Sequence, residues 1–171
     1  MSSNTEEWGV IVIGSGPAGQ KAAVQAAKGN QRVCVIEREV GVGGACVHRG
    51  TIPSKTLRET ALHIGEMRNR IGKHIKVEVP PDLQLASLMD RMESVVTAHV
   101  EYQGRQMIRN GIDHIHGRAR FVDKTTVTVE SISGEVRTLT APIIVIATGS
   151  RPREPENVPI DHEHLFDSDS I

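Results

Sequence analysis

The stretch Val10-Ile11-Val12-Ile13-Gly14-Ser15-Gly16-Pro17-Ala18-Gly19 joins an aliphatic run directly to a Gly-x-Gly-x-x-Gly motif. Four consecutive aliphatic residues predict a strand that is buried on both faces, as in a parallel sheet. In such a motif Gly14 permits a tight turn, Gly16 lets the backbone approach a pyrophosphate, and Gly19 lets the next helix pack closely on the strand. Pro17 suits the first turn of that helix, where its missing N–H costs nothing. Free N–H groups and the helix dipole favour a phosphate there, so the stretch predicts a dinucleotide site.

The residues that follow complete a βαβ unit. An alanine-rich helix continues from the motif to Gly29-Asn30, and a second strand, Val33-Cys34-Val35-Ile36, ends at Glu37. An acidic side chain at this place can accept hydrogen bonds from both hydroxyls of an adenosine ribose. The alternative is an ordinary βαβ unit with a glycine-rich turn and a solvated Glu37. The complete context favours the dinucleotide site.

Composition narrows the class of protein. The 171 residues are enough for one domain with a real core, and 38% apolar and 24% charged residues are typical of a soluble chain. A net charge of −1 and 2% aromatic residues indicate neither a nucleic-acid partner nor an anionic membrane surface. The polar N-terminus, the lack of a membrane-length apolar segment and a count of two cysteines lead us to expect a cytoplasmic protein. The histidine pairs lack a zinc motif, so we expect no metal centre.

A second glycine-rich passage, Gly41-Val42-Gly43-Gly44-Ala45-Cys46, lies just past the second strand. Its position predicts a loop near the pyrophosphate. The group that the dinucleotide carries at its far end should contact this loop. Pro53 and Ser54 then predict a helix start, with Lys55 in the first turn. A lysine there opposes the helix dipole, which favours a positional role for Lys55 over the alternative of a solvated side chain on a capped helix.

The segment from Gly43 to Lys55 resembles the flavoprotein disulfide reductase family, which includes dihydrolipoamide dehydrogenase, glutathione reductase and mercuric reductase. In that family Gly-Gly-x-Cys-x-x-x-x-Cys-Ile-Pro-Ser-Lys lies along the isoalloxazine ring of FAD. Thr51 stands where the family has its second cysteine, so no intramolecular disulfide can form there. The soluble, FAD-containing pyridine nucleotide transhydrogenases lack that cysteine as well, and their segment Cys-Thr-His-x-Gly-Thr-Ile-Pro-Ser-Lys is similar to this one except at Val47.

The resemblance implies which residues contact FAD. The pyrophosphate would be held at the first glycine motif, the ribose at Glu37, and the flavin ring by the second glycine passage and Lys55. Lys55 would tune the reactive nitrogen of the flavin, and Cys46 would be a retained cysteine beside the cofactor, with a redox role as the lesser alternative. The cofactor-binding set is Gly14, Ser15, Gly16, Pro17, Ala18, Glu37, Arg38, Gly43, Gly44, Ala45, Cys46, Lys55, Gly117, Ala119, Ala147, Thr148 and Gly149.

The remaining elements also follow from periodicity and turn residues. Helices are predicted over 56–70 and 83–109, with a break over 71–81, and a third parallel strand over 112–116. Alternation and turns after residue 117 predict a three-stranded antiparallel meander attached to the parallel sheet. An apolar strand before Thr148-Gly149 matches the family's Ala-Thr-Gly-Ser-x-Pro motif, and Arg151 is either a surface charge or a residue of the flavin side.

We therefore expect an α/β, Rossmann-like FAD-binding domain over 1–150, with a parallel sheet, helices on both faces and the meander. Residues 151–171 would be an exit linker toward an NAD(P)-binding domain, whose own fingerprint this sequence does not contain. The resemblance implies hydride transfer between NADPH and NAD by way of FAD, in a homodimer or larger assembly. One alternative is a dihydrolipoamide dehydrogenase-like or mercuric reductase-like enzyme. The other is an FAD-binding module without turnover, and we expect these residues alone to behave as such a module.

Overall fold

The computed structural model describes residues 5–67, 85–167 and 169. It is an α/β fold, which confirms the predicted class. Its strands are β1 (Thr5–Glu7), β2 (Val10–Ile13), β3 (Val33–Glu37), β4 (Asp113–His116), β5 (Arg118–Phe121), β6 (Thr126–Glu130), β7 (Val136–Thr140) and β8 (Ile143–Ile146). Its helices are α1 (Pro17–Lys28), α2 (Gly44–His48), α3 (Thr51–Glu66) and α4 (Leu85–Arg109). Among these helices none is long and apolar enough to cross a membrane.

The parallel sheet has the strand order β4-β3-β2-β8. All of its pairs are parallel, and Val10 of β2 is in register with Val33 on one side and with Ile143 on the other. The predicted strands β2 and β3 are confirmed as its buried centre. In the described part of the chain β8 lies at one edge of this sheet, and Ile143 and Ile146 remain 53% and 65% exposed despite their apolar sequence. The loops after β2, β3 and β8 emerge from the same end of the sheet.

A second sheet, ordered β1-β7-β6-β5, contains the predicted meander. Its three strands β5, β6 and β7 are antiparallel, as expected, but they form a sheet of their own rather than an extension of the parallel one. The sequence did not predict β1, which pairs in parallel with β7. Two hydrogen bonds hold it there, from Arg137 Nε to Glu6 Oε1 at 2.8 Å and from Arg137 Nη2 to Glu6 Oε2 at 2.7 Å. A strand of three polar residues carries no periodicity from which it could be recognised.

The core lies in two clusters on opposite faces of the parallel sheet. Side chains alternate along a strand, so Val10 and Val12 of β2 face one cluster with Ala23 of α1 and Met107 of α4. Ile11 faces the other cluster, which the second sheet completes with residues of β6 and β7. We predicted helices on both faces; in the described residues helices cover one face and the second sheet covers the other. The meander's alternating Val127 and Val129 supply the apolar cover that a helix would have supplied.

Two other boundaries differ from the prediction. Helix α3 begins at Thr51 rather than at Pro53, because Gly50 is its N-cap, and Lys55 therefore lies in the second turn. The predicted break over 71–81 and the ends of the two flanking helices, 68–70 and 83–84, fall outside the described residues. The tail has no helix or strand over 151–167, and Asp169 Oδ2 lies 3.7 Å from Arg49 Nη1 at the end of α2.

Candidate functional site

The loops that follow β2 and β8 touch at Gly14, which has a φ of +104°. A Cβ on Gly14 would overlap the carbonyl oxygen of Ala147, and one on Gly19 would overlap the carbonyl oxygen of Gly14. The amide of Ala147 donates to the carbonyl of Ile13 at 2.8 Å. Only glycine at positions 14 and 19 lets the turn, the start of α1 and the loop after β8 approach so closely. The predicted residues Ala147, Thr148 and Gly149 are therefore beside the first glycine motif.

The second glycine-rich passage lies against the first. The amide of Gly43 donates to both the carbonyl and the hydroxyl oxygen of Ser15, each at 3.2 Å. Gly43 and Gly44 have φ values of +121° and +60°, which L side chains rarely adopt. A Cβ on Gly44 would lie 3.0 Å from the Cα of Gly16. Glycine at 43 and 44 thus brings α2, with Ala45 and Cys46, next to the N-terminus of α1.

Glu37 ends β3 beside these loops, and its side chain is buried, with 7% exposure. Its Oε2 accepts from Ser15 N at 2.8 Å and from Ser15 Oγ at 2.6 Å, while its Oε1 accepts from Glu39 N at 3.0 Å. Burial alone would raise the pKa of Glu37, but these hydrogen bonds to the charged form outweigh it and leave the pKa below its ordinary value of 4.5. Glu37 is therefore a fixed carboxylate near neutral pH.

The N-terminus of α1 is suited to an anion. Gly16 is the N-cap and Pro17 follows it, with no side-chain cap and no acidic residue in the first turn. A Cβ on Gly16 would meet nothing within 4 Å, so its Cα faces open space. The N–H groups of a first helical turn have no intrahelical partners, and the helix dipole favours negative charge there. The donor set and the open space fit the pyrophosphate of a dinucleotide.

A groove of about 430 Å³ lies beside the end of β3. It is lined by Arg38, Glu39, Gly117, Arg118, Glu130, Ser131, Ile132 and Arg151. Gly117 N donates to Glu37 O at 2.8 Å, so the groove adjoins Glu37. The side chain of Ala119 packs against the core between the sheets. Arg118 and Arg151 were not predicted to be groove residues, because β5 and the loop after β8 meet only in the folded chain.

The two predicted catalytic residues, Lys55 and Cys46, lie on α3 and α2. Lys55 is exposed, and its amino group has no hydrogen-bond or ion-pair partner among residues 5–67, 85–167 and 169. Cys46 is half-buried on α2 and is a free thiol. The other cysteine, Cys34, is fully buried in β3, where burial raises the pKa of its thiol to about 12. Neither cysteine faces a second one, and the first residue of α3 is Thr51.

Another depression, of about 530 Å³, lies along one face of α4 between Asp90 and Glu101. It shares no residue with the three loops. The chemistry-bearing residues are therefore concentrated at the carboxyl end of the parallel sheet, where open α/β sheets bind their ligands. No group of three or more acidic, histidine or cysteine residues that could hold a metal ion occurs within the described ranges.

The fold and the three loops define the class of α/β dinucleotide-binding domains. A family model described as "Pyridine nucleotide-disulphide oxidoreductase" matches residues 8–171, and the chain belongs to this family. Members of this family are FAD-dependent oxidoreductases that use NAD(P)H, which agrees with the predicted cofactor and class of enzyme.

Curated relatives refine this result. A soluble pyridine nucleotide transhydrogenase of Mycobacterium bovis BCG is 42% identical over 96% of this chain and 36% of its own length. Proteins of the same name from Colwellia psychrerythraea and Aliivibrio fischeri are 37% and 41% identical over 96% and 94% of this chain. The crystal structure of LpdA from Mycobacterium tuberculosis superimposes with a TM-score of 0.81 at 25% identity, over 95% of this chain and 36% of that one. The chain thus spans little more than a third of the length of the proteins it matches.

Proposed function

We propose that this chain is the FAD-binding part of a soluble pyridine nucleotide transhydrogenase, an enzyme that transfers hydride between NADPH and NAD. The observation that carries the proposal is Thr51 at the start of α3, next to the second glycine-rich passage. Dithiol–disulfide exchange needs two neighbouring thiols. Here both cysteines are free, and one of them is sealed in the core. The three relatives, all named transhydrogenases, support the same conclusion.

The chain's own residues would hold FAD at three places. At the N-terminus of α1, which has no side-chain cap, the amides of Gly16 and Ala18 would donate to the pyrophosphate, and Pro17 would pack beside it. Glu37 would accept from the ribose of the adenosine, with Arg38 and Gly117 lining the adjoining groove. On the opposite side of the first glycine motif, the passage from Gly43 to Cys46 and the loop from Ala147 to Gly149 would border the flavin.

When bound, FAD would supply the hydride chemistry, which is the cofactor's own. The protein's contribution is position and charge. Lys55 extends from the second turn of α3, and its exposed amino group is available to an acceptor on the flavin or to a carboxylate elsewhere in a protein of the relatives' length. Residues 1–150 would form the FAD-binding unit, and 151–171 would lead toward the NAD(P)-binding part. We further propose a cytoplasmic location and, for the full-length protein, a homodimer or larger assembly.

A pair of glycine substitutions tests the cofactor site. Gly16→Ala fills the open space at the start of α1 without meeting any atom of the protein, and the φ of −65° at Gly16 suits alanine. We expect it to leave the melting temperature unchanged while weakening FAD binding by about tenfold or more, a loss of about 1.4 kcal/mol of binding free energy. Gly104→Ala on α4 is the control, because its Cβ also meets nothing within 4 Å and it lies outside the three loops.

Binding is measured by titrating FAD against the purified chain and following the visible absorption and fluorescence of the flavin. If the wild type retains no flavin, or if Gly16→Ala binds it as the wild type does, the assigned site is wrong. Turnover is measured separately, as NADPH oxidation with a thionicotinamide acceptor. We expect FAD binding without turnover from these residues alone, since their sequence carries one dinucleotide fingerprint.

A further inference from the structure

The side chain of Ser15 faces the protein interior instead of the space before α1. Its exposure is 0%. Ser15 is one of the predicted cofactor-binding residues because of its position in the glycine motif. In the structure its hydroxyl donates to Glu37 Oε2 at 2.6 Å and accepts from Gly43 N at 3.2 Å. A hydroxyl has one hydrogen to donate, and here the carboxylate receives it, so a lone pair remains for the Gly43 amide.

The backbone of Ser15 is fixed by further bonds. Its carbonyl accepts from Gln20 Nε2 at 2.8 Å and from Gly43 N at 3.2 Å, and its amide donates to Glu37 Oε2 at 2.8 Å. Gln20 Nε2 also donates to Gln103 Oε1 on α4 at 2.8 Å. The hydroxyl therefore sits on a backbone that neighbouring elements already hold, and removing it leaves these bonds in place.

We propose that Ser15 is a positioning residue whose hydroxyl joins Glu37 to Gly43, so that the ribose carboxylate and the second glycine-rich passage are set as one unit. The inference rests on the proposed function of these groups as an FAD site. Oε2 of Glu37 is occupied by two donors from Ser15, and Oε1 by the amide of Glu39. The backbone amide of Arg38 also stabilises the charged form of Glu37, and Oε1 is the oxygen that Ser15 leaves for these amides and for a ligand hydroxyl. Hydrogen bonds to an ionised acceptor are stronger than neutral ones, so the hydroxyl holds the carboxylate in this orientation.

Ser15→Ala tests the link, with Ser94→Ala as the matched control. Ser94 lies on the exposed part of α4, far along the chain from the loops, and its hydroxyl donates to the carbonyl of Asp90 at 2.8 Å. We expect Ser15→Ala to raise the FAD dissociation constant about tenfold, the scale of one hydrogen bond to a charged group, and Ser94→Ala to leave it unchanged.

Glu37→Gln and the double variant Ser15→Ala/Glu37→Gln complete a double-mutant cycle. If the hydroxyl acts through Glu37, adding Ser15→Ala to Glu37→Gln should weaken FAD binding by less than about twofold. Effects that multiply in the double variant would overturn the inference. The pH profile is a second readout: without the hydroxyl the carboxylate loses a donor, its pKa rises, and FAD affinity falls off at a higher pH than in the wild type. A profile that does not move would also overturn the inference.

The proposed function and the inference fail separately. A wild-type chain that retains no FAD contradicts the function. In that case the same double-mutant cycle is measured by acid unfolding without FAD. The Ser15–Glu37 link predicts that the Ser15→Ala chain unfolds at a higher pH than the wild type. In the Glu37→Gln background, Ser15→Ala should no longer change the pH of unfolding. Equal shifts in both backgrounds would show that the hydroxyl acts independently of Glu37, against the inference.

Discussion

Gly19→Ala should destabilise the fold although it places the better helix former inside a helix. In an ordinary helix interior this exchange gains about 1 kcal/mol. At Gly19, however, the new Cβ would overlap the carbonyl oxygen of Gly14 and lie 3.0 Å from its carbon and 3.3 Å from Ala147 Cβ. The two nearest obstacles are backbone atoms, which cannot rotate away, so α1 must move off β2. Overpacking costs about 1–3 kcal/mol and occasionally more, and we take the upper end here.

The net loss is therefore about 2 kcal/mol or more, which lowers the melting temperature of a chain of this length by about 4–8 °C. Gly104→Ala has the same chemistry in the interior of α4 without any neighbour within 4 Å, and it should raise the melting temperature by about 2–4 °C. Far-UV circular dichroism during heating or in urea measures both variants beside the wild type. A Gly19→Ala chain that unfolds at or above the temperature of Gly104→Ala would refute the close contact between the helix and the turn.

Three further predictions concern side chains around the site and the second sheet. His48 Nε2 lies 3.0 Å from the carbonyl of Val42. His48→Gln, whose amide nitrogen can reach the same acceptor, should retain FAD binding, while His48→Phe should weaken it. Equal FAD titrations for the two variants would contradict this prediction. One thiol, that of Cys46, should react with a disulfide reagent at pH 8 in the folded chain, and Cys34 only after denaturation; a fast reaction that survives Cys46→Ser would contradict the burial of Cys34. The ion pair from Glu6 to Arg137, whose hydrogen bonds lower the pKa of Glu6, stabilises the fold above pH 4.5 and is lost as the pH falls through the lowered pKa. Because both side chains are partly exposed, Arg137→Gln should lower the free energy of unfolding in urea by about 1 kcal/mol at pH 7 and by much less at pH 3. A loss of stability that grows toward pH 3 would contradict this pH dependence.

The elements that sequence could predict are those with a local physical signature. The aliphatic runs of β2, β3 and β8, the glycine motif and the length of α4 each follow from residues close together in the chain. The turn at Gly14 and the carboxylate at Glu37 were predicted because a phosphate and a ribose impose known requirements on the backbone and side chains near them. Their positions at one end of the sheet follow from parallel pairing alone.

What could not be predicted depends on contacts between distant residues. Strand β1 depends on its pairing with β7, where Glu6 meets Arg137, and nothing near Glu6 in the sequence indicates this partner. The interior orientation of the Ser15 hydroxyl likewise needs Glu37 and Gly43 to be in place. The start of α3 at Thr51 was missed because Pro53 is a common first-turn residue, whereas here Gly50 provides the cap two residues earlier.

The pairing of β2 with β8 has a consequence for synthesis on the ribosome. Val10 is made long before its partner Ile143, and β1 must also wait for Thr138. Such nonlocal pairs make folding slow compared with helical domains. Gly14 can be enclosed only when Ala147 has emerged. A growing chain therefore carries an exposed, unpaired edge of β2 until β8 has emerged from the ribosome, and the cofactor can select the folded form only after that point.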